Sequence, residues 1–519
     1  MIKRKIELKF FLSFLVVIIV SITCFLSDLS LSTESNPLND KTFNIKTSGL
    51  DLTNVTVVSD GIQGIFWNDG YSTSANIAID SSGNIHVVWS DATDGIWGSD
   101  PEIMYASYTK TDGWSIPIVI SDGYDDIYWN DGWSSHPQIA IDNSGNIHVV
   151  WQDDTDGIWG SDLEILYVSY TKVEGWSNAT VISDGYNDMY WNEEWSLSPD
   201  MAIDSSGNIY IVWEDGTDGI WGSDYEIMSA IYTEIDGWSN VTVISDGYDD
   251  VYWNNGWSGQ PKIAIDNLDT IHVVWSDNTV GMWGSGSEIL YANYTETDGW
   301  TNVTVISDGY NNTFWNDRGS LEPDLAIDNS GTIHVVWEDR TYGVWGVDEE
   351  IMYASYKKAD GWSNVSVVSD GYDNIYWNDG HSMDPAIAID SWGNIHVVWS
   401  DDTDGIWGSD SEIMYANYTE VDGWTNVTVI SDGYNDMYCF DGWSLDPELA
   451  IDKLGSIYIV WSDDTDGIWG SDSEIMYVKI ENQIPLNGIS FGNFNFFLSF
   501  ITILGLAIYL KKKIRLKNS

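Results

Sequence analysis

The stretch "PQIAIDNSGNIHVVWQD" (Pro137 to Asp153) holds two short runs rich in Ile, Val and Trp on either side of Asp142-Asn143-Ser144-Gly145-Asn146. The link is short enough for a tight hairpin, and Gly145 permits the positive φ such a turn requires. The runs therefore read as antiparallel strands A (Pro137 to Asp142) and B (Asn146 to Asp153). Downstream, "EILYVSYT" (Glu164 to Thr171) and "WSNATVIS" (Trp176 to Ser183) read as strands C and D, joined through Val173-Glu174-Gly175. Four antiparallel strands in this order make one blade of a β-propeller.

The same phrase recurs down the chain. Its tryptophan falls at Trp89, Trp151, Trp213, Trp275, Trp337, Trp399 and Trp461, spaced by 62 residues each time with no net insertion. A period this long and regular marks units that cannot bury their own faces and must stack on neighbours. A β-solenoid is the rival arrangement, and the chain ends decide between the two. The seventh unit stops after strand C (Glu474 to Ile480), while "LTNVTVVSD" (Leu52 to Asp60) is a strand D standing before the first unit. The expected fold is therefore all-β, a seven-bladed propeller of four-stranded antiparallel blades spanning 51–480, its ring closed by the amino-terminal strand.

Composition bounds what such a body can do. The chain has 519 residues, 43% hydrophobic and 14% aromatic, enough to bury a large core. With 81 acidic against 20 basic residues its formal charge is −61, which excludes nucleic acid as a partner because phosphate binding needs clustered Lys and Arg. The two cysteines, Cys24 and Cys439, provide no disulfide framework.

The ends suggest an address outside the cell. Residues 1–26 place Lys3, Arg4 and Lys5 before an apolar stretch, as in a signal peptide or amino-terminal anchor, and 27–50 read as a flexible Ser/Thr/Asn-rich spacer. After a linker at 481–490, the apolar run 491–510 is long enough for a transmembrane helix, and the basic tail 511–519 belongs on the cytoplasmic side. The expected localisation is the cell surface, membrane-anchored, with the body extracellular.

In an antiparallel blade the D-to-A and B-to-C links emerge on one face and the two hairpins on the other. The links, such as "SDGYDDIYWNDGWSSH" (Ser121 to His136) and "DDTDGIWGSD" (Asp153 to Asp162), are acidic and aromatic. Their carboxylates suit a hard cation, with Ca²⁺ the candidate and Asp153, Asp154, Asp156 and Asp162 the ligands in blade two. In blade six the candidates are Asp401, Asp402, Asp404, Asp410 and Glu412, a spacing that does not match an EF-hand loop. Capping of turns by the same Asp residues is the alternative. Trp129, Trp159, Trp315, Trp345, Trp377 and Trp407 lie in these links, where they could stack on sugar faces or fill the seams between blades.

Departures from the repeat mark the candidate ligand site. Blade five brings Arg318, Arg340 and Tyr342 into its links; these two arginines are the only ones between Arg4 and Arg515, and amid so much carboxylate salt bridges to neighbouring acids are expected ahead of anion recognition. Blade four has Val280 and Gly286 where others have acids, and blade seven has Cys439-Phe440 where others have Trp-Asn. His86, His148, His272, His334 and His396 share a strand-B register with Tyr210 and Tyr458, an exchange that fits a structural hydrogen bond rather than a zinc ligand. Asn54, Asn178, Asn240, Asn302, Asn364 and Asn426 begin N-x-[ST] sequons at the start of strand D, the expected outer rim.

The combination "PAIAIDSWGNIHVVWSD" (Pro385 to Asp401) with "EIMYANYTEVDGWTN" (Glu412 to Asn426) resembles the sialidase-type, BNR-like propeller repeats, and "YTEVDGW" (Tyr418 to Trp424) stands where that family carries its Asp box. The tail similarly resembles the carboxy-terminal sorting tails of prokaryotic surface proteins. The resemblance implies a propeller, and for activity it implies three arginines holding a substrate carboxylate. Arg318 and Arg340 cannot make that triad. The expected function is a binding or adhesion module for a glycan or surface protein, with no catalytic residue assigned. The alternatives are a sialidase-like glycoside hydrolase or lyase, and a structural cell-envelope protein.

Overall fold

The computed structural model describes residues 51–481 apart from 53–54 and the loop segments 60–69, 94–99, 122–131, 156–161, 184–193, 218–223, 246–255, 280–285, 308–317, 341–347, 370–379, 404–409, 432–441 and 465–471. These residues form seven antiparallel sheets and contain no helix long and apolar enough to cross a membrane. Blade two runs Ser134–Ile141 (A), Ile147–Asp153 (B), Glu164–Thr171 (C), then Gly175–Trp176 and Thr180–Val181 (D). The other blades repeat it, and each strand A contacts the strand A of the next blade all the way round, so strand A lines the axis.

Two details of the strands differ from the expectation, each for a local reason. Strand A starts three residues before Pro137, because a β-bulge between Ser135 and Gln138 carries the ladder past the proline, with His136 at φ 53°. Strand D is two short pieces rather than one strand. Between them, Ser177 Oγ takes the Ser169 N–H at 2.9 Å, substituting a side chain for the ladder.

Ring closure is direct. Asp51–Leu52 and Thr56–Val57 pair antiparallel with Glu474–Glu481, the strand C of blade seven. Ile475 N–H donates to Ser59 Oγ at 2.8 Å and Ser59 Oγ bonds Glu474, the same exchange that Ile165, Ser183 and Glu164 make inside blade two. The seam is packed like the others: Val87, Trp89 and Ala106 of blade one share a core cluster with Tyr458, Val460 and Ile475 of blade seven.

Two devices repeated around the ring hold the blades. The anchor tryptophan is fully buried, and its indole donates to the aspartate two residues on, Trp151 Nε1 to Asp153 Oδ2 at 2.9 Å. At five of the seven seams a strand-C tyrosine meets the strand-D tryptophan of the next blade edge to face, among them Tyr167 on Trp238 at 5.2 Å and, across the closure, Tyr477 on Trp114 at 5.2 Å. The strand-B histidines are structural: His148 Nδ1 lies 2.7 Å from Tyr167 Oη, and burial keeps its pKa low. Where Tyr458 replaces histidine, its hydroxyl bonds Asp452 at 2.9 Å.

Candidate functional site

Strand A supplies two rings of side chains around the axis. The deeper ring is Asn76, Gln138, Asp200, Lys262, Asp324, Ala386 and Glu448, two residues past each bulge. Its members stitch neighbours together. Asn76, Asp200 and Asp324 accept the backbone N–H of Ile139, Ile263 and Ile387 in the following blades at 3.2, 2.8 and 2.8 Å. Lys262 of blade four reaches Glu448 of blade seven at 3.6 Å, three blades away around the ring. Asp200 and Asp324 oppose the same ammonium. Burial works to lower the Lys262 pKa, but Glu448, Asp324 and Asp200 outweigh it and keep the ammonium charged.

The upper ring sits at the bulges, nearer the loop face: Ser74, His136, Ser198, Gln260, Glu322, Asp384 and Asp446, all at φ 49–55°. Only blades five to seven place acids there. Asp384 lies against the carboxyls of Glu322 and Asp446. Burial and the neighbouring carboxyls of Glu322, Asp446 and Glu338 hold the Asp384 carboxyl well above the usual carboxylate range. Gln260 Nε2 donates to Glu322 Oε1 at 3.2 Å from blade four.

Beside this ring, blade five adds a charged relay. Glu338, at the end of strand B, has a side chain 3% exposed, and Arg340 Nη2 lies 2.9 Å from its Oε1. Burial and the neighbouring Glu322 and Glu349 charges push Glu338 up to about 8, with Arg340 opposing them. Arg340 Nε also meets Glu349 Oε1 at 2.7 Å, and Glu349 Oε2 lies 3.2 Å from His381 Nδ1 of blade six. A continuous polar network thus runs from Asp446 through Asp384, Glu322, Glu338, Arg340 and Glu349 to His381.

The network occupies a gap in an aromatic crown. The residue just before strand A is Tyr71, Trp133, Trp195, Trp257, Gly319, His381 and Trp443 in the seven blades. Tyr71, Trp133, Trp195 and Trp443 are 53–65% exposed, held at the loop face by bonds such as Trp443 N–H to Asp464. Trp257 instead lies down on Glu214, its indole donating at 3.2 Å. In blades five and six the crown gives way to Gly319 and His381. There Arg340 replaces the capping aspartate of other blades, its own N–H going to Gly319 O at 2.9 Å.

The candidate residues named from sequence are distributed as follows. Arg340 belongs to the network, and Arg318 is exposed at the loop face with its carbonyl pressed on Gly286 of blade four, where an added Cβ would lie 1.2 Å from that oxygen. Asp153 caps its own turn through Thr155 N–H at 2.9 Å, and Asp154 accepts Trp133 N–H. Asp401 and Asp402 do the same for Thr403 and His381, and Glu412 accepts Ser431 Oγ. Asp162 and Asp410 stand just before strand C of their blades. Among the described residues no group of three or more His, Cys, Asp or Glu side chains is placed to hold a metal ion. Asn178, Asn240, Asn302, Asn364 and Asn426 are exposed on the outer strand. Tyr342, Trp129, Trp159, Trp315, Trp345, Trp377, Trp407, Asp156, Asp404 and Asn54 lie outside the described residues, as do both cysteines and both terminal segments.

Sequence reasoning missed Glu322, Glu338, Glu349, His381, Asp384 and Asp446. The signal that could have found them is the same one used for Arg340, a departure from the repeat, but read at the strand ends instead of in the loops.

Fold and site together define a closed seven-bladed propeller whose described residues form an asymmetric polar network at the loop-side mouth of its channel. No family model and no curated protein matches the chain. Among solved structures it is similar to a protein of unknown function from Dyadobacter fermentans, at 9% identity over 84% of this chain and 100% of that one, TM-score 0.45. It is similar to an ulvan lyase bound to a sulfated GlcA–Rha saccharide at 10% identity over 78% of this chain and 94% of that one, TM-score 0.49. It is also similar to the NanB sialidase of Streptococcus pneumoniae, at 12% identity over 81% of this chain and 70% of that one, TM-score 0.39. At such identities and scores these likenesses assign neither family nor chemistry.

Proposed function

We propose that the protein acts on glycans at the loop-side mouth of its channel, in the sector of blades five to seven. The observation that supports this most is the gathering of carboxyls with unlike neighbours there: Asp384 is buried against Glu322 and Asp446, and Glu349 is paired with Arg340 and His381. Burial and the carboxyls of Glu322, Asp446 and Glu338 hold the Asp384 carboxyl well above the usual range, while Glu349 lies 2.7 Å from Arg340 Nε and 3.2 Å from His381 Nδ1. Glycosidic-bond cleavage, whether by hydrolysis or by elimination, requires an acid and a base in distinct environments. Asp384 is the candidate proton donor to the leaving oxygen, and the Glu349–His381 pair the candidate base. Glu338 and Arg340 are positioning residues beneath them. The exposed rings of Tyr71, Trp133, Trp195 and Trp443 supply flat apolar faces on which pyranose rings stack around the same mouth.

The network sets five carboxyls against one guanidinium, which favours neutral or amino sugars over sialic acid or uronates. Non-catalytic glycan capture is the second reading, favoured by the crown itself. The anchor and address belong to the same proposal: the apolar run 491–510 holds the chain in the membrane with the body outside. Calcium in the B-to-C links is a separate part of it, checked by whether added Ca²⁺ raises the melting temperature.

The test is a screen of the purified protein against neutral, amino-sugar and uronate polysaccharides, reading both new reducing ends and unsaturated products. Turnover on a neutral or amino-sugar polymer is expected. Binding without turnover on any polymer would move the protein to the capture reading, and neither binding nor turnover would overturn both.

A further inference from the structure

We propose that the hairpin face of the propeller, opposite the loop face, lies against the bilayer surface, so that the candidate site opens away from the membrane. The inference rests on the anchor reading above and on three features of the body.

The first is where the chain enters and leaves. Asp51 pairs with Glu481 and Leu52 with Ile480, at the end of the blade-seven strand C that runs toward the hairpin face. Both crossings therefore sit at one point on that face. From Glu481 only the residues 482–490 precede the apolar run, and a segment of that length spans at most about 30 Å when fully extended. A tether so short holds the hairpin face near the bilayer.

The second is what the hairpins expose. Among the described residues twelve large hydrophobic side chains are exposed, and six of them are hairpin tips. Val173, Ile235 and Val421 cap C-to-D turns at 93, 92 and 90% exposure, and Leu268, Trp392 and Leu454 cap A-to-B turns at 84, 59 and 74%. The turns do not need them: the equivalent tips in other blades are Thr111, Thr297 and Ala359, or Ser82, Ser144, Ser206 and Ser330. Apolar side chains at tips that fold equally well with Ser or Thr fit a surface that is itself partly apolar, and Trp is the residue type that settles at headgroup level.

The third is the placement of positive charge. Every exposed lysine of the body (Lys110, Lys172, Lys357, Lys358 and Lys453) is on the hairpin face, whereas Arg318 and Arg340 are on the loop face. Exposed turn acids such as Asp112, Glu174, Asp236, Asp298, Asp360 and Asp422 outnumber these lysines, so the apolar tips carry the contact and the lysines only offset part of the acidic charge of that face.

The test uses the full chain in vesicles of phosphatidylcholine and phosphatidylglycerol, with Cys24 and Cys439 replaced by Ser. A polarity-sensitive fluorophore is attached at Leu268→Cys or Trp392→Cys on the hairpin face, or at Tyr71→Cys on the loop face. Blue-shifted emission and quenching by a lipid-borne quencher are expected at positions 268 and 392 but not at 71. If the chain floats with the vesicles and all three labels report water, the orientation is overturned while the anchor stands. If the chain does not float, the anchor reading falls and the orientation with it.

Discussion

Glu338 shows how a single side chain acquires a role from its neighbours. Its counterpart Glu214 in blade three is also buried, but it accepts the Trp257 indole at 3.2 Å and the Gln260 N–H at 3.0 Å, an arrangement of neutral donors. Glu338 faces Glu322, Glu349 and Arg340 instead, and its pKa rises to about 8. A carboxyl raised in the folded state contributes stability that is fully present below the ordinary carboxylate range and is lost as pH rises through about 8. Gln at this position has no proton to lose. Relative to the parent, Glu338→Gln should therefore gain about 1–3 kcal/mol between pH 5 and pH 9, read as a widening difference in melting temperature. A difference that stays constant across that range would remove the charge account of this residue. Such a site was only partly legible beforehand. Arg340 stood out because arginine is so rare in this chain. Glu338 and Asp384 look like ordinary surface acids until the bulge and the ring bring them beside Glu322.

At the scale of elements, the 62-residue spacing and the Ile-, Val- and Trp-rich runs between turn residues were enough to place the blades, and strand C of blade two falls at Glu164–Thr171 as its sequence indicates. Less legible were features in which a side chain or an unusual φ replaces a ladder bond. Pro137 reads as a strand start, yet the bulge lets the strand pass it, and Ser177 interrupts strand D through its hydroxyl. The closing segment was legible because one unit lacked a strand and a matching strand stood alone elsewhere. It buries Val58 and Ser59 and completes the blade-seven sheet. Removing residues 51–60 from the full chain should cost about 5 kcal/mol, from lost valine burial and ladder bonds, and leave an open strand edge. Unchanged melting of that deletion would contradict closure by this strand.

For the whole molecule, near-sevenfold repetition makes asymmetry informative. Seven almost equal blades build a rigid ring, the Lys262–Glu448 pair bridges its channel, and three adjacent blades alone carry acids at the upper ring. The crown is interrupted in blades five and six of that same sector. The central claim is that chemistry is confined to this sector, and the direct measurement is turnover by Asp384→Asn beside Glu214→Gln on the best polymer from the screen. Asp384→Asn should lose about 100-fold or more in kcat, with Glu214→Gln unchanged. Equal activity in the two variants, or a loss with Glu214→Gln alone, would contradict the account.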